Sequence, residues 1–312
     1  MNLIDQVLAE PEFEATPPVL VDVGAAGGVP PGWRRLARRS VAVAFEPDAR
    51  EAEPLTSGRQ RFRRWIYIPA IVVAEPPPDG KTTLHLARSP QCSSTLPPQT
   101  GPLRRWAFAG LFEVVGRRDF PATTLAEVLR VHGLGAPDWI KCDTQGTDLR
   151  IFRSLPTGLR HRVLLTEFEP GLIDAYVGED TLSQVLDAMR DEPFWLAECS
   201  LERTPLAFAG WNDSKWYRRL APSAPGWGNL CYLRDVDAQP EELDRRALLL
   251  LWVLATLHGQ PAYAHVVAAA GARRFGGDLF GRMQRASHRQ LWWALVRRFP
   301  GWCVQRLWRC WR

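Results

Sequence analysis

The run Val21-Asp22-Val23-Gly24-Ala25-Ala26-Gly27-Gly28 places an apolar strand directly before a glycine-rich turn. A turn of this composition brings backbone close to a ligand: missing side chains permit positive φ, and a helix leaving the turn would aim its free N–H groups and positive dipole end at the same spot. Further on, a second apolar run, Val41 to Phe45, ends in Glu46-Pro47-Asp48. In a nucleotide-binding half-fold, a carboxylate at the end of the second strand accepts hydrogen bonds from both ribose hydroxyls. Glu46 is therefore the expected ribose ligand, with Pro47 beside it. The glycines do not follow the G-x-G-x-x-G spacing that admits a pyrophosphate, which argues against an NAD-linked enzyme. Asp22 two residues before Gly24, and Ala26 within the turn, suit a ligand carrying a carboxylate and an ammonium group. S-adenosyl-L-methionine has both.

A third strand, from Trp139 to Cys142, exits into Asp143, and a fourth, Val163 to Phe168, exits with Glu167 and Glu169. Parallel sheets bind ligands at the carboxyl ends of their strands, where strand order reverses, so Asp22, Glu46 and Asp143 are expected in one crevice. Methyl transfer from a sulfonium is an in-line displacement that depends mostly on alignment, but a hydroxyl acceptor must also lose a proton. The candidate bases are Asp143, Glu167 and Glu169, with His85 and His161 as alternatives. Asp143 is assigned to the cofactor, so Glu167 ranks first and Glu169 second. The competing structural role for either glutamate is to cap a helix or orient a loop.

The segments VDVGAAGG (21–28), FEPD (45–48), PQCSSTLPP (90–98), DWIKCDTQGTDLRIF (138–152) and LLTEFEPGLIDAYVGEDTLSQVL (164–186) resemble the successive signatures of the FkbM-type class I methyltransferases, over roughly residues 18 to 235. The resemblance implies a Rossmann-like α/β fold with a mostly parallel sheet and an antiparallel pair at one edge. It also implies S-adenosylmethionine-dependent methylation of a hydroxyl on a sugar, glycan or natural-product acceptor. By the same resemblance Asp22, Gly24, Ala25 and Ala26 surround the methionine moiety, Glu46 meets the ribose, and Asp143 meets the methionine amino group; Gly28 of the turn is a further expected cofactor contact. Ala126 stands where this family commonly has aspartate, which removes any role carried by that side chain. A non-catalytic nucleoside-binding protein on the same fold remains the alternative of a different class.

The elements that must hold these residues follow from local pattern. A strand ending near Ile68, the break at Pro69 and a short second strand would put Ala70 and Ile71 beside the adenine. Alternation over Thr82 to Ala87 predicts a hairpin strand, and the spacing of Leu125, Val128 and Leu129 predicts a helix from Thr123 to Val131. Ser89 to Leu103 is long and rich in Pro, Ser and Gln, which marks it as either a substrate lid or a connector. A helix over Leu182 to Met189 precedes two short strands, Phe194 to Ala197 and Leu230 to Leu233. Between these, Trp211 and Trp216 either stack on a sugar or anchor the core. Residues 1–17 read as a lead-in, 18–235 as the catalytic domain and 236–312 as a helical appendage.

The 312 residues and 46% hydrophobic content suit a large α/β domain with an appendage. Six cysteines without C-x-x-C or zinc-ligand spacing indicate neither a disulfide framework nor a metal site, and no signal peptide is evident, so a reducing cytoplasm is expected. The formal charge of +5 is uneven: residues 241–312 carry twelve arginines against four acids, a net of +8 that leaves −3 for the first 240 residues. Over 289–312 arginines interleave with tryptophan and leucine, and Pro300-Gly301 is expected to break the stretch into two helices. That tail could dock on the core or a partner, or lie at a membrane surface. Nucleic acid ranks third, because no recognised binding module accompanies the tail.

Overall fold

The computed structural model of the chain describes residues 2–26, 28–48, 50 and 61–309, with side chains to residue 299. Gly27 and the last three residues of the tail lie outside these. Two compact units are present, one formed by 17–235 and the other by 1–16 together with 236–312.

The strands of the larger unit are β1 (Val19–Val23), β2 (Val41–Phe45), β3 (Arg64–Ile68), β4 (Ile71–Val72), β5 (Lys81–Ala87), β6 (Val114–Thr123), β7 (Trp139–Cys142), β8 (Leu165–Phe168), β9 (Phe194–Pro205) and β10 (Ser223–Arg234). Seven of them form one sheet in the order β3-β2-β1-β7-β8-β10-β9. From β3 to β8 the neighbours are parallel, while β10 runs antiparallel to both β8 and β9. The reversed strand thus lies one position in from the edge. Every residue of β1 and β2 is buried, the near-continuous apolar pattern that central parallel strands require. The chain lays down β2 and β3 on one side of β1 and β7 and β8 on the other, so strand order reverses between β1 and β7.

On one face of the sheet Val21, Val23, Val43, Phe45, Ile140 and Cys142 pack with residues of the helices Leu125–Val131, Asp148–Ser154 and Leu182–Ala188. The opposite face carries Asp22, Trp139 and Lys141, and there Trp33 meets Trp139 edge-on with ring centroids 6.1 Å apart.

Several sequence expectations are corrected. Among the described residues no α-helix leaves the glycine turn: a residue before proline avoids the α region, which keeps Val29 and Pro30 out of a helix, and Pro31–Arg35 and Ala37–Arg39 beyond them are short 3₁₀ helices. The dipole expected there is absent among the described residues. Thr123 belongs to β6, and the helix begins only at Leu125 behind the Thr124 cap, whose side chain accepts from Glu127 N. Strand β6 pairs antiparallel with β5 and parallel with β4 in a separate three-stranded sheet. The strands expected at 194–197 and 230–233 extend to twelve residues each.

In the second unit, Leu248 to Ala255 of the helix Arg245–Leu257 are all buried. Arg245 makes ion pairs with Glu10 and Glu12, which ties the N-terminal segment into this unit. The last helix, Asp278–Arg309, runs through Pro300 without the predicted break. Proline there removes one backbone hydrogen bond, but its φ is already helical.

Candidate functional site

The exits of β1, β2 and β7 are laced together by backbone. Gly24 N and Ala25 N both donate to Phe45 O, at 3.1 and 2.9 Å, and Asp143 N donates to Val23 O at 2.9 Å. Gly24 adopts φ +83°, and a Cβ there would lie 2.9 Å from the Asp143 carbonyl carbon and closer still to its oxygen. Glycine at this position is a steric requirement. The strand exits form the floor of a cleft of about 570 Å³ lined by Gly24, Ala26, Glu46, Pro47, Ala70, Ile71, Asp143 and Glu169 among others.

Glu46 is buried, its Oε1 accepts from Asp48 N at 2.7 Å, and Tyr67 Oη donates to its carbonyl at 2.8 Å. At the other end, Asp143 Oδ1 accepts from Gln145 Nε2 at 2.8 Å and Oδ2 lies 3.4 Å from Lys141 Nζ. Burial, and next the neighbouring Asp143 carboxyl, push the Glu169 carboxyl up to about 9. Trp227 Nε1 donates to Glu169 Oε1 at 2.8 Å. Behind the pair, buried Asp148 accepts from Thr144 N (2.8 Å), Thr144 Oγ1 (2.6 Å) and Glu169 N (2.9 Å), so one carboxylate fixes both loops.

The structure separates residues that the sequence reading grouped. Glu167, ranked first as base, does not line the cleft. It lies inside β8 in register with Lys141 of β7, which is in register with Asp22 of β1. There Trp139 Nε1 donates to Glu167 Oε2 at 3.2 Å, and burial pushes the Glu167 carboxyl up to about 7. Glu169 reaches the cleft because it stands one residue beyond the strand's end. Asp22, Ala25 and Gly28 also stay out of the lining. Burial pushes Asp22 up to about 6, and its Oδ1 sits 3.6 Å from Lys141 Nζ. Burial works against the Lys141 charge, but Asp22, Asp143 and Glu167 outweigh it and hold the ammonium well above its usual range. Lys141 thereby links the buried Asp22 to the cleft-facing Asp143. His85 and His161 do not line the cleft, and Trp211 and Trp216 are exposed and outside it.

Other lining residues escaped the sequence reading. Phe108, Leu111 and Phe112 come from the segment before β6, and Ile173 and Tyr176 from the loop after β8, with Trp227 facing Phe108 edge-on at 6.1 Å. Tyr176 Oη donates to Gln145 Oε1 at 3.1 Å, tying this aromatic wall to the Asp143 loop. Arg203 and Arg218 are the cationic residues of the lining. Their contributing segments are distant in sequence, so no local motif announces them.

S-adenosylmethionine suits this donor set. Glu46 is an acceptor for a ribose diol, Asp143 is a carboxylate for an ammonium, and the side-chain-free Gly24 leaves room for backbone contact. The described cysteines, 92, 142, 199 and 231, are free thiols.

A family model described as the Methyltransferase FkbM domain matches residues 22–194. Comparison with curated protein sequences gave no match. Among solved structures, magnesium protoporphyrin IX methyltransferase from Synechocystis PCC 6803 with bound SAM is similar at 9% identity, over 75% of this chain and 76% of that one, with a TM-score of 0.28. Precorrin-6y C5,15-methyltransferase from Geobacter metallireducens GS-15 is similar at 12% identity, over 74% and 87%, with a TM-score of 0.31.

Proposed function

The chain belongs to the FkbM methyltransferase family, and from that premise we propose that it methylates a hydroxyl of a small-molecule or glycan acceptor, with Glu169 as general base. Its cofactor is S-adenosylmethionine. When bound, that cofactor supplies an electrophilic methyl on a sulfonium, whose positive charge favours the ionised form of carboxylates beside it.

The observation that carries the reading is the Asp143–Glu169 carboxyl pair facing one cleft, with Glu46 at its far end. Asp143 and Glu46 would hold the cofactor by its ammonium and its ribose. Of the other acids of the lining, Asp48 is paired with Arg50 and Glu179 Oε1 accepts from Ala175 N and Tyr176 N, which leaves Glu169 to take a proton from an acceptor oxygen; a carboxyl pushed up to about 9 is a stronger base than an ordinary one. Trp227 orients Glu169 Oε1, and Asp148 anchors the Glu169 backbone. The aromatic wall of Phe108, Phe112, Tyr176 and Trp227 offers flat apolar faces to a sugar ring or a planar acceptor. Arg203 and Arg218 favour an acceptor that also carries an anionic group.

The test is transfer of labelled methyl from S-adenosylmethionine to a panel of free hexoses, nucleotide-linked sugars and polyketide alcohols. Glu169→Gln should lower kcat about a hundred- to ten-thousand-fold while cofactor affinity changes little, and Glu167→Gln should leave kcat within about threefold. Full activity in Glu169→Gln would remove the base assignment.

A further inference from the structure

The first turns of the helix Asp278–Arg309 pack in the ordinary way: Phe280, Met283 and Ser287 are buried, and Trp252 Nε1 donates to Ser287 Oγ at 2.9 Å. From His288 to Phe299 no side chain is buried, although this stretch holds Leu291, Trp292, Trp293, Leu295, Val296 and Phe299. Trp292, Trp293 and Phe299 are 52, 55 and 61% exposed. At about 100° per residue, Leu291, Leu295, Phe299, Trp292 and Val296 fall on one arc of roughly 140°. Arg298 lies at one edge of that arc, Arg289 at the other, and Arg297 opposite.

Charge completes the pattern. From Leu279 to the end of the chain there are eight arginines and no acidic residue. At the base of the exposed stretch, Arg282, Arg285, His288 and Arg289 line a cavity of about 610 Å³ with Leu3 and Gln6 of the helix Leu3–Val7. Arg282 donates to Gln6 Oε1 at 2.7 Å and pairs with Asp278 at 3.1 Å, while Arg285 is 3.5 Å from the same carboxylate.

We propose that residues 288–299 of this helix form a docking surface for an anionic lipid bilayer. Trp292, Phe299 and the aliphatic side chains of the arc would enter the boundary between headgroups and acyl chains, with arginines at both edges of the arc meeting phosphate. Among the described residues no helix is long and apolar enough to cross a membrane, so the helix lies in the plane of the surface. A second copy of the chain fits this face less well, because pairing the arcs sets Arg289 and Arg298 against their own counterparts. A nucleic acid would meet the arginines but would leave Leu291, Leu295 and Val296 without an apolar partner.

The experiment is sedimentation of the full chain with vesicles of phosphatidylcholine alone or with about 40% phosphatidylglycerol. Binding should rise at least about tenfold with the anionic lipid and fall several-fold between about 0.1 and 0.5 M salt. Trp292→Ser combined with Leu295→Ser and Phe299→Ser should reduce binding at least about tenfold, and so should Arg289→Glu with Arg298→Glu, with thermal melts and cofactor affinity unchanged. The lipid and salt dependences of the unaltered protein stand as tests even where a variant folds poorly. Equal binding to neutral vesicles or indifference to the triple substitution would overturn the proposal. So would a dimer that the substitution dissociates in the absence of vesicle binding, or capture of an RNA oligonucleotide in place of vesicles.

Discussion

Replacing Gly24 by alanine attacks the site through its backbone, without touching any charge that would meet a ligand. An L side chain at φ +83° is disfavoured by about 1–2 kcal/mol. The added Cβ would also press on the Asp143 peptide from 2.9 Å or less, so the exits of β1 and β7 must move apart. Overpacking of this kind costs about 1–3 kcal/mol, for a total of about 2–5 kcal/mol. In a unit of about 200 residues each kcal/mol lowers Tm by about 2–4 °C, so scanning calorimetry should find Tm reduced by roughly 5–15 °C. The same displacement strains the bonds from Gly24 N and Ala25 N to Phe45 O and from Asp143 N to Val23 O, and so shifts Asp143 relative to Glu46. Affinity for S-adenosylmethionine should fall at least about tenfold. Gly80→Ala is the control: it has φ +66° and open space around its Cβ, so it should incur only the dihedral cost and keep full affinity. A Gly24→Ala protein with unchanged Tm and affinity, or equal damage from Gly80→Ala, would refute the close-approach argument.

Glu169→Gln should also alter stability with pH. Because the folded state raises this carboxyl from 4.5 to about 9, stability of the ligand-free protein falls as pH rises between those values, where the unfolded chain has released a proton the fold retains. Urea melts should therefore find the Gln variant level with the parent near pH 4 and more stable by on the order of 2–4 kcal/mol near pH 9; a constant difference would contradict the assignment. Asp148→Ala should destabilise by about 2–4 kcal/mol, since it strands the half-buried N–H groups of Thr144 and Glu169, and should lower kcat along with stability. Trp227→Phe removes the Nε1 donor to Glu169 while keeping an aromatic face, so the acidic limb of the kcat/KM profile, where the base takes up its proton, should move to higher pH; an unmoved limb would show that this bond does not tune the base.

The parts of the site legible in sequence are those that sit at the ends of uninterrupted apolar strands. Val19–Val23 and Val41–Phe45 are bounded as their composition implies, so Gly24 and Glu46 fell where the strand exits had to be. Asp143 was legible for the same reason. The order of Glu167 and Glu169 was not, because it depends on where β8 stops: one residue of strand separates a side chain in the Asp22–Lys141 row from one in the cleft. In the turn after Gly24, Pro30-Pro31 opposes a helix leaving directly from the glycines. Strand β6 carries Arg117, Arg118 and Asp119 in succession with little apolar alternation, and its pairing with β5 is a long-range event that no local pattern encodes. The aromatic wall was hidden for a related reason, being assembled from two loops and strand β10 that only the fold brings together.

The central claim is that the cleft between the exits of β1, β2 and β7 holds S-adenosylmethionine with Glu46 on its ribose. Calorimetric titration of the full chain and of Glu46→Ala tests it most directly. The account predicts micromolar-range binding of about one equivalent, weakened roughly 5- to 150-fold in the variant by the loss of about 1–3 kcal/mol of charged hydrogen bonding, with no heat from NAD. Equal affinity in the two proteins, or tighter binding of NAD than of S-adenosylmethionine, would contradict it.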